Sequence, residues 1–75
     1  MTDAQRLLLG ALADGQYLRC WYATGSWKYV GGPTVDSRIA YELRDAGYIK
    51  LVDGSTTSGL YGITAEGRRV LHVTD

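Results

Sequence analysis

Two groups of side chains in this chain have the types and spacing to do chemistry, and both are suited to binding. Tyr17, Arg19 and Trp21 alternate along one segment, and Lys28 follows in the next. Interleaved aromatic and cationic side chains can stack and make charge contacts, as in single-strand nucleic-acid binders, and they also dominate protein–protein hot spots. Ser37, Arg38, Tyr41 and Arg44 form the second group, with Lys50 a few residues on. Ser, Tyr and Arg donate well to phosphates and base edges.

Catalytic constellations are missing by the same reading. A nucleophile with its base, a carboxylate pair or a metal cluster would be needed. The chain has one His, His72 near its C-terminus, and one Cys, Cys20, with only Asp14 among the carboxylates within about twelve residues of that cysteine. No enzyme activity, catalytic residue, metal site or cofactor is expected, and a single cysteine excludes an internal disulfide. Gly31-Gly32-Pro33-Thr34 precedes a helix but lacks the Lys and the spacing of a phosphate loop, so it reads as a turn and a cap.

Composition narrows the partners. The 75 residues are 45% hydrophobic, which fits one small folded domain over 1–75 with a thin core. Eight basic residues balance eight acidic ones, so the net charge is zero and no strong long-range field draws the chain to phosphates. Six Tyr and two Trp, with no Phe, load the chain with side chains that have apolar bodies and polar tips. Nothing resembles a signal peptide, and no apolar run is long enough for a bilayer, so no membrane partner and a cytoplasmic setting are expected.

The elements that must position these groups follow from period and punctuation. Thr2 and Asp3 cap a helix over 4–13, with Leu7, Leu8, Ala11 and Leu12 as its apolar stripe and Asp14-Gly15 as its stop. Residues 17–22 and 27–30 are aromatic and β-branched around Ala23-Thr24-Gly25-Ser26, which reads as a β-hairpin. A two-residue Thr24-Gly25 loop pairs Tyr22 with Trp27, Trp21 with Lys28, Cys20 with Tyr29 and Arg19 with Val30; a longer loop changes these pairs. With that loop, Leu18, Cys20, Tyr22, Trp27 and Tyr29 share the core face, while Tyr17, Arg19, Trp21, Lys28 and Val30 share the other.

Thr34 is expected to cap the next helix, over 34–46. Val35, Ile39, Leu43 and Ala46 fall on one stripe, leaving Ser37, Tyr41 and Arg44 opposite and Arg38 at the edge. Gly47 stops it. Strands over 48–52 and 60–63 enclose the small polar loop Asp53-Gly54-Ser55-Thr56-Thr57-Ser58-Gly59, and Thr64 caps a last helix ending near His72.

Helix, Gly47 stop, aromatic-aliphatic strand, hairpin and the Thr64-Ala65-Glu66-Gly67 helix start together resemble the C-terminal half of winged helix-turn-helix domains. The resemblance implies an α+β, winged-helix-like fold in the order helix, β-hairpin, helix, β-hairpin (the wing), helix. It also implies that the helix before the wing meets DNA, through Ser37, Arg38, Tyr41 and Arg44, with Lys50 beside it. By analogy, so small a module resembles regulators and accessory proteins of phages and mobile elements. The sequence departs from the family where a second helix should position the reader, because Gly15 to Gly32 reads as the aromatic hairpin. The expected partner is therefore DNA or a DNA-handling protein. The alternative is a protein interface, with a host complex to be inhibited or a second copy, built on Tyr17, Arg19, Trp21 and Lys28.

Overall fold

A computed structural model describes residues 1–72. Helix α1 (Asp3–Ala13) is followed by strands β1 (Leu18–Trp21), β2 (Ser26–Tyr29) and β3 (Thr34–Val35), helix α2 (Ser37–Asp45), strands β4 (Ile49–Gly54) and β5 (Ser58–Ile63), and helix α3 (Ala65–His72). The five strands form one antiparallel sheet in the order β3-β2-β1-β5-β4. The fold is thus a small α+β domain of three helices and a five-stranded sheet. Its element order is not the expected alternation of helices and hairpins, because β3 is inserted before α2 and the two hairpins merge through β1 and β5. No helix among the described residues is long and apolar enough to cross a membrane.

Each element has a local cause. Thr2 and Gln5 make a reciprocal capping box at the start of α1. Leu8, Leu9 and Leu12 are buried, whereas Leu7 is 76% exposed and departs from the expected stripe. Three consecutive leucines cover most of a helix circumference, so the packing chooses which two turn inward. Thr34 does not cap α2 but pairs with Lys28 in β3. Asp36 is the cap, its Oδ1 accepting from the Arg38 N–H at 2.9 Å. That moves Val35 off the helix, and the buried stripe becomes Ala40 and Leu43 with Ile39 half-buried, while Ala46 is exposed.

The Gly47 stop holds. Gly47 sits at φ 83°, its N–H bonding Arg44 O and the Tyr48 N–H bonding Leu43 O, both at 3.0 Å, the paired bonds of a Schellman ending. Tyr48 then turns into the core, and β4 runs directly from it. Thr64 caps α3 as expected: its hydroxyl accepts from Gly67 N at 3.0 Å and donates to Gly47 O at 2.7 Å.

The first hairpin keeps its predicted faces with a different register. Cys20 pairs with Trp27 and Trp21 with Ser26, so Tyr22 to Gly25 form a four-residue turn rather than a two-residue one. The slip is two positions. Side chains alternate with period two, so the strand residues keep their assigned faces, but Tyr22, expected on the core face, lies in the turn and is 46% exposed. Leu18, Cys20 and Trp27 are buried on the inner face with Ile49 and the half-buried Tyr29 and Tyr61, under all three helices. β3 and β4 lie at opposite edges, so α2, which joins them, crosses that inner face.

Two glycines give opposite expectations. A Cβ at Gly67 would run into the Tyr48 carbonyl and Ile63, so Gly67→Ala should lower stability by roughly 1–3 kcal/mol despite its better helix propensity. Gly10 has nothing within 4 Å of its added Cβ, and Gly10→Ala should stabilise by about 0.5–1 kcal/mol. Urea midpoints of the two variants should therefore move in opposite directions, and a Gly67→Ala midpoint at or above the wild-type value would refute the close seating of α3 on Tyr48 and Ile63.

Candidate functional site

The helices cover one side of the sheet, which leaves the other side open. Register alone defines what stands on it. Tyr17 continues the β1 alignment beside Val30, whose N–H bonds Tyr17 O at 3.0 Å. Arg19 stands between Lys28 on β2 and Leu60 on β5, and Trp21 between Ser26 and Ser58. On β4, Lys50 stands opposite Gly62. A bulge between Leu51 and Asp53 then turns both Val52 and Asp53 to this side, against Leu60. All four residues expected in a protein interface, Tyr17, Arg19, Trp21 and Lys28, therefore share one open sheet face. Val30 joins them as the alternation of the hairpin predicts, but sequence reading missed that Val52, Leu60 and Lys50 extend the face, because the pairing of β1 with β5 is non-local.

Exposed apolar side chains flank Arg19 on this face. Tyr17, Trp21, Val30 and Val52 are exposed by 44%, 42%, 48% and 47%. The Tyr17 ring lies against Gly62, where an added Cβ would come within 3.0 Å of it, so the glycine seats the ring. Arg19 is fixed in place: its Nη1 donates to Ser58 Oγ at 3.0 Å, and its guanidinium lies 5.9 Å from the centre of the Trp21 ring. Ser58 is itself buried. Arg19 borders a hollow of about 220 Å³ shared with Trp21, Lys28 and Val30, and a second of about 120 Å³ shared with Asp53, Ser55 and Leu60.

The residues expected to meet DNA are divided. Ser37 and Arg38 lie in the first turn of α2, Arg38 exposed and Ser37 half-buried. Tyr41 is turned inward, its ring meeting Trp27 edge-on at 5.4 Å, so it is not on the solvent face expected for it. The expected stripe ran through Val35, Ile39, Leu43 and Ala46; Leu43 is buried and Ile39 half-buried as expected, Ala40 joins them, and the Tyr41 ring reaches the core through its contact with Trp27. Arg44 stacks on Tyr41 at 4.7 Å and pairs with Asp45 at 3.4 Å. Burial opposes the Arg44 charge, but Asp45 and the Tyr61 hydroxyl hold it more firmly than that opposes it. Lys50 is on the far side of the sheet from α2.

Other chemistry is sparse. No group of three or more His, Cys, Asp or Glu that could hold a metal ion occurs among the described residues. Cys20 is buried beneath α2, and burial pushes its thiol above the ordinary range, with the Arg44 charge pulling the other way. Tyr29 is raised by burial as well. Because the folded Cys20 pKa exceeds the unfolded one, this contribution to stability is complete below the ordinary thiol pKa and is lost as pH rises through the folded value. Urea midpoints should stay flat up to about pH 8 and decline above it, with a shallower decline in Cys20→Ala. An identical slope in the variant would remove Cys20 as the cause.

Comparison with protein-family models, with curated proteins and with solved structures found no match, so the functional reading rests on the geometry of the chain itself.

Proposed function

We propose that this chain is a small protein-docking module, an accessory or regulatory subunit whose contact surface is the open face of its sheet. The observation that carries the reading is that four of its large apolar side chains stand exposed on a face no helix covers, Tyr17, Val30 and Val52 toward one end and Trp21 toward the other, with Arg19 between them. Large apolar side chains gathered on one exposed face mark an interaction site. Aromatic anchors with a cationic surround are the composition of binding hot spots.

The partner is a different chain rather than a second copy. Arg19, Lys28 and Lys50 against Asp53 give the face three cations and one carboxylate, a net charge of +2. A twofold dimer through this face would bring that excess against itself, and the like charges would oppose association.

A nucleic-acid role draws less support. Its expected residues fall on two sides of the sheet, and Asp36, Glu42 and Asp45 accompany Arg38 and Arg44 on or beside α2. Aliphatic Val30, Val52 and Leu60 give a base nothing to stack on, whereas a protein surface buries them. The winged-helix likeness enters this reading as a scaffold: α2, β4, β5 and α3 would serve as the frame that presents the first hairpin.

The test begins with affinity capture by the full chain and identification of the bound protein, followed by calorimetry with that protein purified. Trp21→Ala should keep its urea midpoint to within about 1 kcal/mol in stability yet weaken the complex by at least roughly tenfold. Arg38→Ala should leave the affinity unchanged. Equal affinity of wild type and Trp21→Ala would overturn the proposal. So would tight duplex DNA binding that falls steeply with salt and is lost in Arg38→Ala.

A further inference from the structure

The open face contains one arrangement that this chain does not satisfy by itself. Arg19 and Lys28 are directly opposed on neighbouring antiparallel strands, and both point to the same side. Like charges in that position repel and weaken a hairpin, and a stability-driven sequence would place a carboxylate or a neutral residue at one of them. Among the described residues, neither Arg19 nor Lys28 takes part in an ion pair that would relieve the repulsion. Asp53 stands on the same face but beyond Leu60, on the side of Arg19 away from Lys28.

Arg19 is also prepared rather than loose. One guanidinium nitrogen is tied to the buried Ser58 hydroxyl, and the Trp21 ring lies alongside. An arginine has five N–H donors, so this anchor leaves most of the planar fork free to meet a carboxylate in two-point fashion. The hollow of about 220 Å³ that Arg19, Trp21, Lys28 and Val30 share has two cations and apolar walls. That combination suits an acidic side chain whose neighbours are apolar.

We propose that the Arg19–Lys28 pair is a carboxylate seat, and that the partner docks through a segment carrying an Asp or Glu between apolar side chains. The proposal rests on the docking reading above and adds the chemistry of the partner to it. The carboxylate relieves the cross-strand repulsion only in the complex, so the pair costs stability in the free chain and returns it on binding. Its flanking apolar side chains cover Tyr17 and Trp21 and exclude water from the ion pair, which strengthens it.

Panning a random-peptide phage library against the immobilised full chain tests both layers. Enriched peptides should share an acidic residue flanked by apolar ones. A synthetic peptide of the enriched sequence should lose roughly tenfold in affinity when its Glu becomes Gln, and a similar factor against Arg19→Gln or Lys28→Gln. Lys28 is exposed and unanchored, so its variant tests the charge even if Arg19→Gln disturbs folding. In a nuclear magnetic resonance titration, the Arg19 side-chain N–H and the Trp21 indole N–H should both shift.

Peptides that lose binding to Trp21→Ala but ignore Glu→Gln, Arg19→Gln and Lys28→Gln would overturn the carboxylate seat and leave the docking face standing. Peptides indifferent to Trp21→Ala, a selection that enriches nothing, or tighter binding of an oligothymidylate to the same face would overturn both.

Discussion

The indole of Trp27 is the contact around which this domain is arranged. It is fully buried at the centre of the sheet's inner face, with Tyr41 of α2 meeting it edge-on and Tyr61 of β5 tilted against it at 4.7 Å. One side chain thus joins the first hairpin, the crossing helix and the second hairpin. Truncating a residue buried in this way costs ~3–5 kcal/mol, a large share of the whole stability of so small a domain. The buried Trp27 Nε1–H has no hydrogen-bond partner among the described residues, so apolar contact rather than polar satisfaction holds the indole there. Tyr41 is drawn inward by the same contact, and Arg44 follows it to lie over its ring.

A core centred on Trp27 uses nearly all the apolar material available to one side of the sheet. The described residues supply three short helices, and all three are needed to close over Leu18, Cys20, Trp27 and Ile49. None remains for the opposite face, which is therefore the place where surplus aromatic side chains stay in contact with water. The sheet edges are protected in a way the face is not. β3 at one edge has only two residues, and β4 at the other is interrupted by its bulge, both of which discourage strand addition. Association through the face, not the edge, is what this construction leaves open.

Much of this was legible in the residues, and the failures have physical causes. The sorting of the first hairpin into core and outer faces was readable because hydrophobic alternation has period two, and a two-residue slip in register preserves it. The Thr2, Gly47 and Thr64 signals were local, being set by hydrogen bonds to near neighbours, and they held. The α2 cap failed because Thr34 and Asp36 are both good caps, and only the pairing of Thr34 with Lys28, across the Gly31-Gly32-Pro33 turn, removes Thr34 from the competition. Tyr41 left its expected solvent face because of its contact with Trp27, which no pattern within the helix encodes. The joining of β1 to β5 links positions about forty residues apart, and no periodicity within either strand encodes it.

That joining also changes what the wing-like hairpin does. The three residues Ser55, Thr56 and Thr57 form its tip, and the rest of it is sheet. Tyr22 and Leu51 lie over Gly59, at the end of the inner face beyond the helices, and a Cβ there would collide with both. The Tyr22 N–H also bonds Thr57 O at 3.1 Å. A hairpin held at its base by a neighbouring strand and at its tip by that strand's turn is a fixed plate rather than a mobile arm. Ser58, on this plate, is the residue that anchors Arg19 of the first hairpin. The second hairpin therefore brings Lys50, Val52, Asp53 and Leu60 to the proposed docking surface and also sets the position of Arg19, a cation it does not itself carry, and the surface belongs to neither half of the chain alone.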